Sequence, residues 1–157
     1  MGPDTNSMQI TSLEGPDEEV LTLSGKIGRA QVPELRARLL EAVDHAGAVV
    51  LIDTHQVTAF DDAALVALTA ARKRSRFLRH RIVVVDGEHS VVAASLRRNG
   101  MHVRMPVFPD VATASRSLAA DREARARLTL RELLPERPAL ESTPRARADA
   151  GRPARAS

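Results

Sequence analysis

Residues 48–65 read AVVLIDTHQVTAFDDAAL, and this stretch decides the class of fold. The run from Ala48 to Ile52 is apolar at every position, which is typical of a strand covered on both faces in a parallel sheet. A helix pattern follows from Asp62 to Leu78, with Asp61 or Asp62 placed to cap its N-terminus. The residues between strand and helix are interpreted as a loop, so the stretch predicts one strand–loop–helix unit of an α/β domain.

The residues before this stretch predict a hairpin and a helix. Met8 to Leu13 and Val20 to Ile27 alternate as half-buried strands do, and residues 14–17, EGPD, form a turn signal between them. Pro33 suits the first turn of an amphipathic helix that ends at Gly47. The apolar residues of that helix recur at helical spacing: Val32, Leu35, Leu39 and Val43.

The residues after this stretch continue the alternation of strands and helices. Ile82 to Val85 is a second buried strand, and a short helix from Ser90 to Arg98 is stopped by Asn99-Gly100 in a left-handed C-cap. Met101 to Phe108 is a weaker strand candidate, and Asp110 to Leu118 is a final helix. We therefore predict an α/β fold with a mixed, mostly parallel sheet of about five strands and about four helices.

Composition divides the 157 residues into one domain and its flanks. Residues 1–7 are small and polar and are expected to form a flexible leader, while residues 8–120 form the domain. Residues 121–134 can extend the last helix, although their leucines are irregularly spaced. Residues 135–157 consist mainly of Pro, Ala, Arg and Ser, and we expect disorder there because so little apolar surface cannot offset the ordering entropy.

The composition also excludes several kinds of chemistry and location. The absence of Cys removes disulfides and thiolate metal sites, and the absence of Trp and Tyr removes most stacking surfaces for nucleic-acid bases. A formal net charge of +3 is too small to indicate nucleic acid as a partner. No apolar run approaches the roughly 20 residues that span a bilayer. We expect no membrane insertion and, by default, a cytoplasmic protein.

No group of residues predicts catalysis. The five His residues lack metal-binding spacing, and no glycine-rich phosphate loop is present. Asp53, Asp61 and Asp62 are concentrated around the loop, and paired carboxylates can perform acid–base chemistry or bind Mg²⁺. However, no nucleophile or further ligand stands nearby, and an Asp at a helix N-terminus already serves as a cap. We therefore expect a protein that is not an enzyme and holds no cofactor and no metal.

The densest basic cluster lies at the end of the second helix and after it. On a helix, Arg72, Arg76 and Arg79 share one face, which can attract an anionic partner by an interaction that weakens with salt. The favoured interpretation is a solvated face with cations near the helix C-terminus. The full cluster is Arg72, Lys73, Arg74, Arg76, Arg79 and Arg81.

Residues 48–65 resemble the STAS family of anti-sigma factor antagonists, in which an apolar strand ends in Asp and Asp-Ser-Ser-Gly-Leu opens a helix after a short loop. Residues 23–27, LSGKI, are similar to the second strand of that family and its Gly. Residues 96–101, LRRNGM, and 108–114, FPDVATA, resemble its closing helix, Gly-Leu step and last helix. The resemblance covers residues 8–120 and implies a STAS-like fold.

In the antagonists of this family, the second Ser of Asp-Ser-Ser-Gly is phosphorylated by an anti-sigma kinase, and the unphosphorylated protein binds that kinase and frees a sigma factor. The resemblance therefore implies a serine-kinase-type anti-sigma factor as the partner and a role in transcription regulation and stress response. It places the partner-binding residues in the loop and at the helix start: Asp53, Thr58, Asp61, Asp62, Ala63, Ala64 and Leu65.

The sequence departs from the family pattern at the phosphorylated position. Aligning Asp61 with the family Asp puts Asp62 at the first Ser, Ala63 at the phosphorylated Ser and Ala64 at the Gly. Because Ala63 has no hydroxyl, it cannot be phosphorylated. Either Ala63 imitates the unmodified state and binding is constitutive, or Asp62 imitates the modified state, or the domain serves a different partner. Thr54 and Thr58 keep hydroxyls in the loop.

Regulatory binding without phosphorylation at this loop is the leading hypothesis. The alternative is a STAS subunit of a larger assembly, such as a transporter or a signalling scaffold, with permanent association. The sequence assigns no oligomeric state to either.

Overall fold

The sheet begins with an antiparallel hairpin of β1 (Gln9–Glu14) and β2 (Glu18–Ile27). A computed structural model describes residues 7–134, so positions 1–6 of the expected leader and the expected disordered tail at 135–157 lie outside the described residues. Successive side chains of β2 alternate between half-buried and buried, as the pleat of a strand requires. The predicted hairpin is confirmed.

Three parallel strands complete the sheet: β3 (Val49–Phe60), β4 (Arg81–Val85) and β5 (Val107–Phe108). The strand order follows the chain, β1-β2-β3-β4-β5. Within residues 7–134, one α-helix follows each of the strands β2, β3, β4 and β5, which confirms the predicted mixed five-stranded α/β fold. They are α1 (Val32–His45), α2 (Leu65–Phe77), α3 (Val91–Arg98) and α4 (Val111–Leu133).

The main core lies between one face of the sheet and helices α1, α2 and α3, because apolar residues from all three join the same buried cluster. Full burial of one leucine side chain contributes about 1.5–3 kcal/mol. The sheet supplies Leu21, Leu23, Val50, Ile52, Ile82 and Val84, and the helices supply Leu35, Leu39, Leu68, Val92 and Leu96.

The first turns of α4 lie next to β2, where the Ser115 hydroxyl donates a hydrogen bond of 3.0 Å to Glu18. The chain divides into two compact units within this helix, one ending at Ser117 and the other beginning at Leu118. In the second unit, the described residues continue α4 to Leu133. Within residues 7–134, no helix combines the length and the hydropathy that crossing a bilayer requires.

Strand β3 is longer than the sequence predicted: it contains 12 residues and reaches Phe60. The expected loop after Asp53 is therefore strand. Its register with β2 shifts twice, once between Thr22 and Ser24 and once between Gly25 and Lys26. Such bulges insert extra residues and interrupt the two-residue alternation, so the pattern does not look like a strand. Gly25 has φ 85°, a left-handed conformation that glycine adopts without steric cost.

The segment after α3 also differs from the prediction. Residues Met101–Val103 form a 3-10 turn, and only Val107–Phe108 are strand. The expectation of a strand from Met101 onward was therefore wrong. Gly100 has φ 70°, which confirms the predicted left-handed stop after α3 and turns the chain into this 3-10 segment.

Candidate partner-binding site

The end of β3 and the beginning of α2 form the centre of the site. Asp61 is extended, and its Oδ1 accepts a hydrogen bond of 2.8 Å from the backbone N–H of Ala63. The side chain of Asp61 therefore satisfies one of the free N–H groups at the helix start, as predicted for an N-cap. A 3-10 turn of Asp62–Ala64 leads into α2, and Ala63 remains partly exposed on that turn.

The carboxylate of Asp62 is engaged with α3 and the residue that follows it. Its Oδ1 accepts hydrogen bonds of 2.6 Å from both the Ser95 hydroxyl and the Arg98 guanidinium, and its Oδ2 accepts one of 3.2 Å from the Asn99 amide. The Arg98 contact, followed by those of Ser95 and Asn99, holds the pKa of Asp62 well below its usual range. Because Arg98 balances this charge, Asp62 is a poor imitation of a free phosphate.

Ala64 and Leu65 differ from the other candidate residues because they face the core. Ala64 is 0% exposed and Leu65 is 7% exposed. The expectation that Ala64 contacts a partner is corrected, since a fully enclosed methyl group has no surface to offer. Both residues join the buried cluster beneath α2, where they anchor the turn that presents Ala63.

The remaining candidates lie on β3. Asp53 Oδ1 accepts a hydrogen bond of 3.0 Å from the His55 backbone N–H and lies 2.8 Å from His55 Nδ1. This side-chain hydrogen bond is the main reason that the pKa of His55 is raised, and the negative charge of Asp53 adds to it. Thr58 is exposed, whereas Thr54 is buried and its hydroxyl donates to the buried Asp86. Of the two loop hydroxyls, only that of Thr58 is accessible.

A surface trough of about 810 Å³ extends from Asp62 across the outer face of α2. Sequence reasoning missed it, because it depends on α1 and the segment after α3 lying on either side of α2. The signal available in the sequence was Val66, an apolar residue outside the buried stripe of α2, and it is 60% exposed. Leu40, Leu65, Val66, Ala70 and Met101 supply the apolar lining, and Arg36, Lys73 and Arg74 supply cations.

The basic cluster at the end of α2 is divided among different neighbours. The helix ends at Phe77, and Arg79 follows in a left-handed conformation with φ 61°. The expectation that Arg79 shares a helix face with Arg72 was therefore wrong. Arg72 donates a hydrogen bond of 3.2 Å to the backbone carbonyl of Arg104, while Arg74 pairs with Asp44 at 2.7 Å.

No group of three or more His, Asp or Glu residues within residues 7–134 is arranged to hold a metal ion.

This combination of a sequentially ordered, mixed five-stranded sheet and a capped helix start defines the fold class of the anti-sigma factor antagonists. An antagonist from Mycobacterium paratuberculosis is similar with a TM-score of 0.64 and 18% identity, over 73% of this chain and 96% of that one. The antagonist SpoIIAA in its unphosphorylated form is similar with a TM-score of 0.58 and 13% sequence identity, over 72% of this chain and 97% of that one. The Bacillus cell fate determinant SpoIIAA in its phosphorylated form is similar with a TM-score of 0.54 and 12% sequence identity, over 71% of this chain and 99% of that one. At these identities, the likeness establishes the fold.

The family follows from the sequence itself. The family model described as "Mlab, STAS domain" matches residues 11–107, which is more than half of the chain. The chain therefore belongs to the STAS domain family, as the resemblance implied. No curated protein matches the chain.

Proposed function

We propose that this chain is a regulatory module that binds an anti-sigma factor of the serine-kinase type and thereby influences sigma-factor-dependent transcription. The contact surface consists of Asp61, Asp62 and Ala63 at the turn before α2, with the exposed Thr58 and the partly exposed Asp53 on β3. Binding is constitutive, because it does not depend on modification at position 63. The shared fold with proteins named as anti-sigma factor antagonists supports this kind of partner.

The observation that carries the proposal is the methyl group of Ala63 on the partly exposed turn before α2. A phosphate at this place would add about −1.5 to −2 charges to the surface. Alanine cannot accept a phosphate, and the negative charge of the neighbouring Asp62 is balanced by Arg98. Position 63 therefore stays uncharged, which corresponds to the unmodified, binding form of an antagonist.

Ala63→Glu and Ala63→Ser form a matched pair of variants that tests this proposal. The probe is a purified serine-kinase-type anti-sigma factor from the same genome, and the affinity is measured by calorimetry. We expect Ala63→Glu to weaken binding about tenfold or more, because it places a charge at the contact. Its melting temperature should remain close to that of the wild type, because a carboxylate is tolerated near a helix N-terminus.

Ala63→Ser restores the hydroxyl and should bind as the wild type does when ATP is absent. With ATP and the kinase, the serine variant should take up phosphate and dissociate, whereas the wild type should stay bound and unmodified. Equal affinity of Ala63→Glu and wild type would remove the support for this surface. Phosphate found on Thr58 of the wild type by mass spectrometry would contradict constitutive binding.

A second candidate function is permanent association as a subunit of a larger assembly. The observation in its favour is the exposure of two large apolar side chains on α2, since Val66 is 60% and Phe77 is 78% exposed. Clustered apolar exposure marks interaction surfaces. Mixing the isotope-labelled chain with a preformed complex distinguishes the two functions, because a switching partner exchanges within minutes and a permanent subunit does not.

A further inference from the structure

We infer that the trough on the outer face of α2 binds an amphipathic helix of a partner protein that carries acidic side chains beside its apolar stripe. This inference rests on the proposed function, because the trough adjoins the surface around Ala63. It goes further by stating the chemistry that a partner must present.

The first reason is the apolar character of a helix face that would ordinarily be polar. Val66, Ala70, Lys73 and Phe77 follow each other at helical spacing and share one face of α2. A surface helix normally places polar residues on the side away from the core. Here Val66 in the trough and Phe77 beyond its lining are largely exposed, and Leu40 and Met101 extend the apolar lining on either side of α2. A covering partner would remove this surface from water.

The second reason is the charge at the trough. Arg74 is paired with Asp44 at 2.7 Å, and Asp62 is paired with Arg98 at 2.6 Å. The side chains of Arg36 on α1 and Lys73 on α2 make no ion pair and no hydrogen bond with any residue in the range 7–134. Two uncompensated cations therefore line the trough, and complementary charge favours an acidic occupant.

The third reason concerns the shape of the occupant. The trough runs along a helix and is bordered by α1 and by the 3-10 segment at Met101, so no sheet edge offers hydrogen bonds to an extended peptide. A helix seated in a groove between helices buries its apolar stripe without needing such bonds. The trough volume of about 810 Å³ accommodates several apolar side chains of such a helix.

Two other occupants are disfavoured by charge. The segment 135–157 of this chain carries five arginines against three acidic residues, and its four prolines oppose helix formation. A second copy of the chain has a formal net charge of +3 and would bring further positive charge to a cationic surface. A partner helix with acidic flanks meets both the apolar lining and the charge.

The direct test uses two synthetic peptides of 18 residues, about five helical turns. Both carry leucine at every third or fourth position and one tryptophan, and their flanking residues are glutamate in one peptide and lysine in the other. Because the chain has no Trp and no Tyr, tryptophan emission reports on the peptide alone. We expect saturable binding of the glutamate peptide and binding of the lysine peptide that is weaker by about tenfold or more.

Variants of the chain locate the binding. Lys73→Glu and Arg36→Glu should each weaken binding of the glutamate peptide about tenfold. Arg116 is an exposed residue on α4 outside the trough, and the control variant Arg116→Glu should leave this binding unchanged. Circular dichroism confirms that each surface variant is folded. Equal binding of the two peptides, no binding of the glutamate peptide, or no effect of Lys73→Glu would overturn the inference. Concentration-dependent dimerisation that Val66→Ser abolishes would assign the trough to a second copy instead.

The same variants separate the inference from the proposed function. If Ala63→Glu abolishes binding of the anti-sigma factor and Lys73→Glu does not, the proposed contact surface around Ala63 is supported and the inference about the trough fails. If the glutamate peptide binds in the trough but Ala63→Glu does not change the affinity for the anti-sigma factor, the inference about the trough is supported and the proposed function fails.

Discussion

Asp62 on the 3-10 turn before α2 and Arg98 at the end of α3 form an ion pair of 2.6 Å, although they lie 36 positions apart in the sequence. Ser95 and Asn99 add hydrogen bonds to the same carboxylate. The turn that presents Ala63 is therefore tied to a second helix. This ion pair balances the negative charge next to Ala63.

The contacts of the Asp62 carboxylate predict that the free energy of unfolding decreases in acid. The pKa of Asp62 in the folded state is lowered from 3.8, so in acid the unfolded chain binds more protons than the folded chain does. The free energy of unfolding should therefore fall as the pH decreases below 3.8. The contribution is fully present at neutral pH. We expect the advantage of wild type over Asp62→Asn in urea unfolding to shrink between pH 6 and pH 3.

The partner of Asp62 supplies the control for this prediction. Because Arg98 stays charged throughout, Arg98→Gln should remove most of the same pH dependence, and the double variant should add little to either single change. The effect should also weaken in high salt, since the pair is half exposed. An advantage of wild type that is constant from pH 6 to pH 3 would contradict the assignment.

His55 predicts the opposite dependence on pH. Its pKa is raised above 6.5, first by the hydrogen bond that the His55 imidazole donates to Asp53 and then by nearby negative charge, including that of Asp86. A raised pKa adds stability that is complete below 6.5 and is lost as the pH rises through the folded-state value. We expect NMR titration to place the pKa of His55 above 6.5 and Asp53→Asn to lower it. Thr58→Ala on the same strand should leave it unchanged.

The sequence was sufficient for the elements whose periodicity is uninterrupted. The alternation of β2 and the helical spacing of Leu35 and Leu39 each follow from one buried face, so their pattern identifies them. The continuation of β3 to Phe60 was missed because two bulges reset the alternation. The 3-10 segment at Met101 was missed because the left-handed Gly100 redirects the chain.

The site was predictable only where its contacts are local. Asp61 caps a residue two positions away, which is a short-range rule that the sequence displays. The pairing of Asp62 with Arg98, the burial of Ala64 and the trough between α1 and α2 depend on the packing of segments that are distant in sequence. No periodicity encodes those relationships.

The buried hydrogen bond between Thr54 and Asp86 predicts that two conservative substitutions of Thr54 differ markedly in stability. Thr54 is 2% and Asp86 is 3% exposed, so the carboxylate depends on protein donors. Thr54→Val removes the hydroxyl and should cost about 1–3 kcal/mol of unfolding free energy. Thr54→Ser keeps the donor and should cost less. Urea unfolding at pH 7 measures both, and a valine variant that is as stable as the serine variant would contradict this role.

Gly100 and Gly87 separate backbone conformation from packing, because a Cβ added at either position meets no atom within 4 Å. Gly100 has φ 70°, whereas Gly87 is not left-handed. Gly100→Ala should therefore lose about 1 kcal/mol, since the steric cost of a left-handed alanine exceeds the entropy removed from the unfolded chain. Gly87→Ala should be neutral or more stable by about 0.4–1 kcal/mol. Urea unfolding decides the matter, because equal effects of the two substitutions would mean that the turn after α3 does not require a left-handed residue.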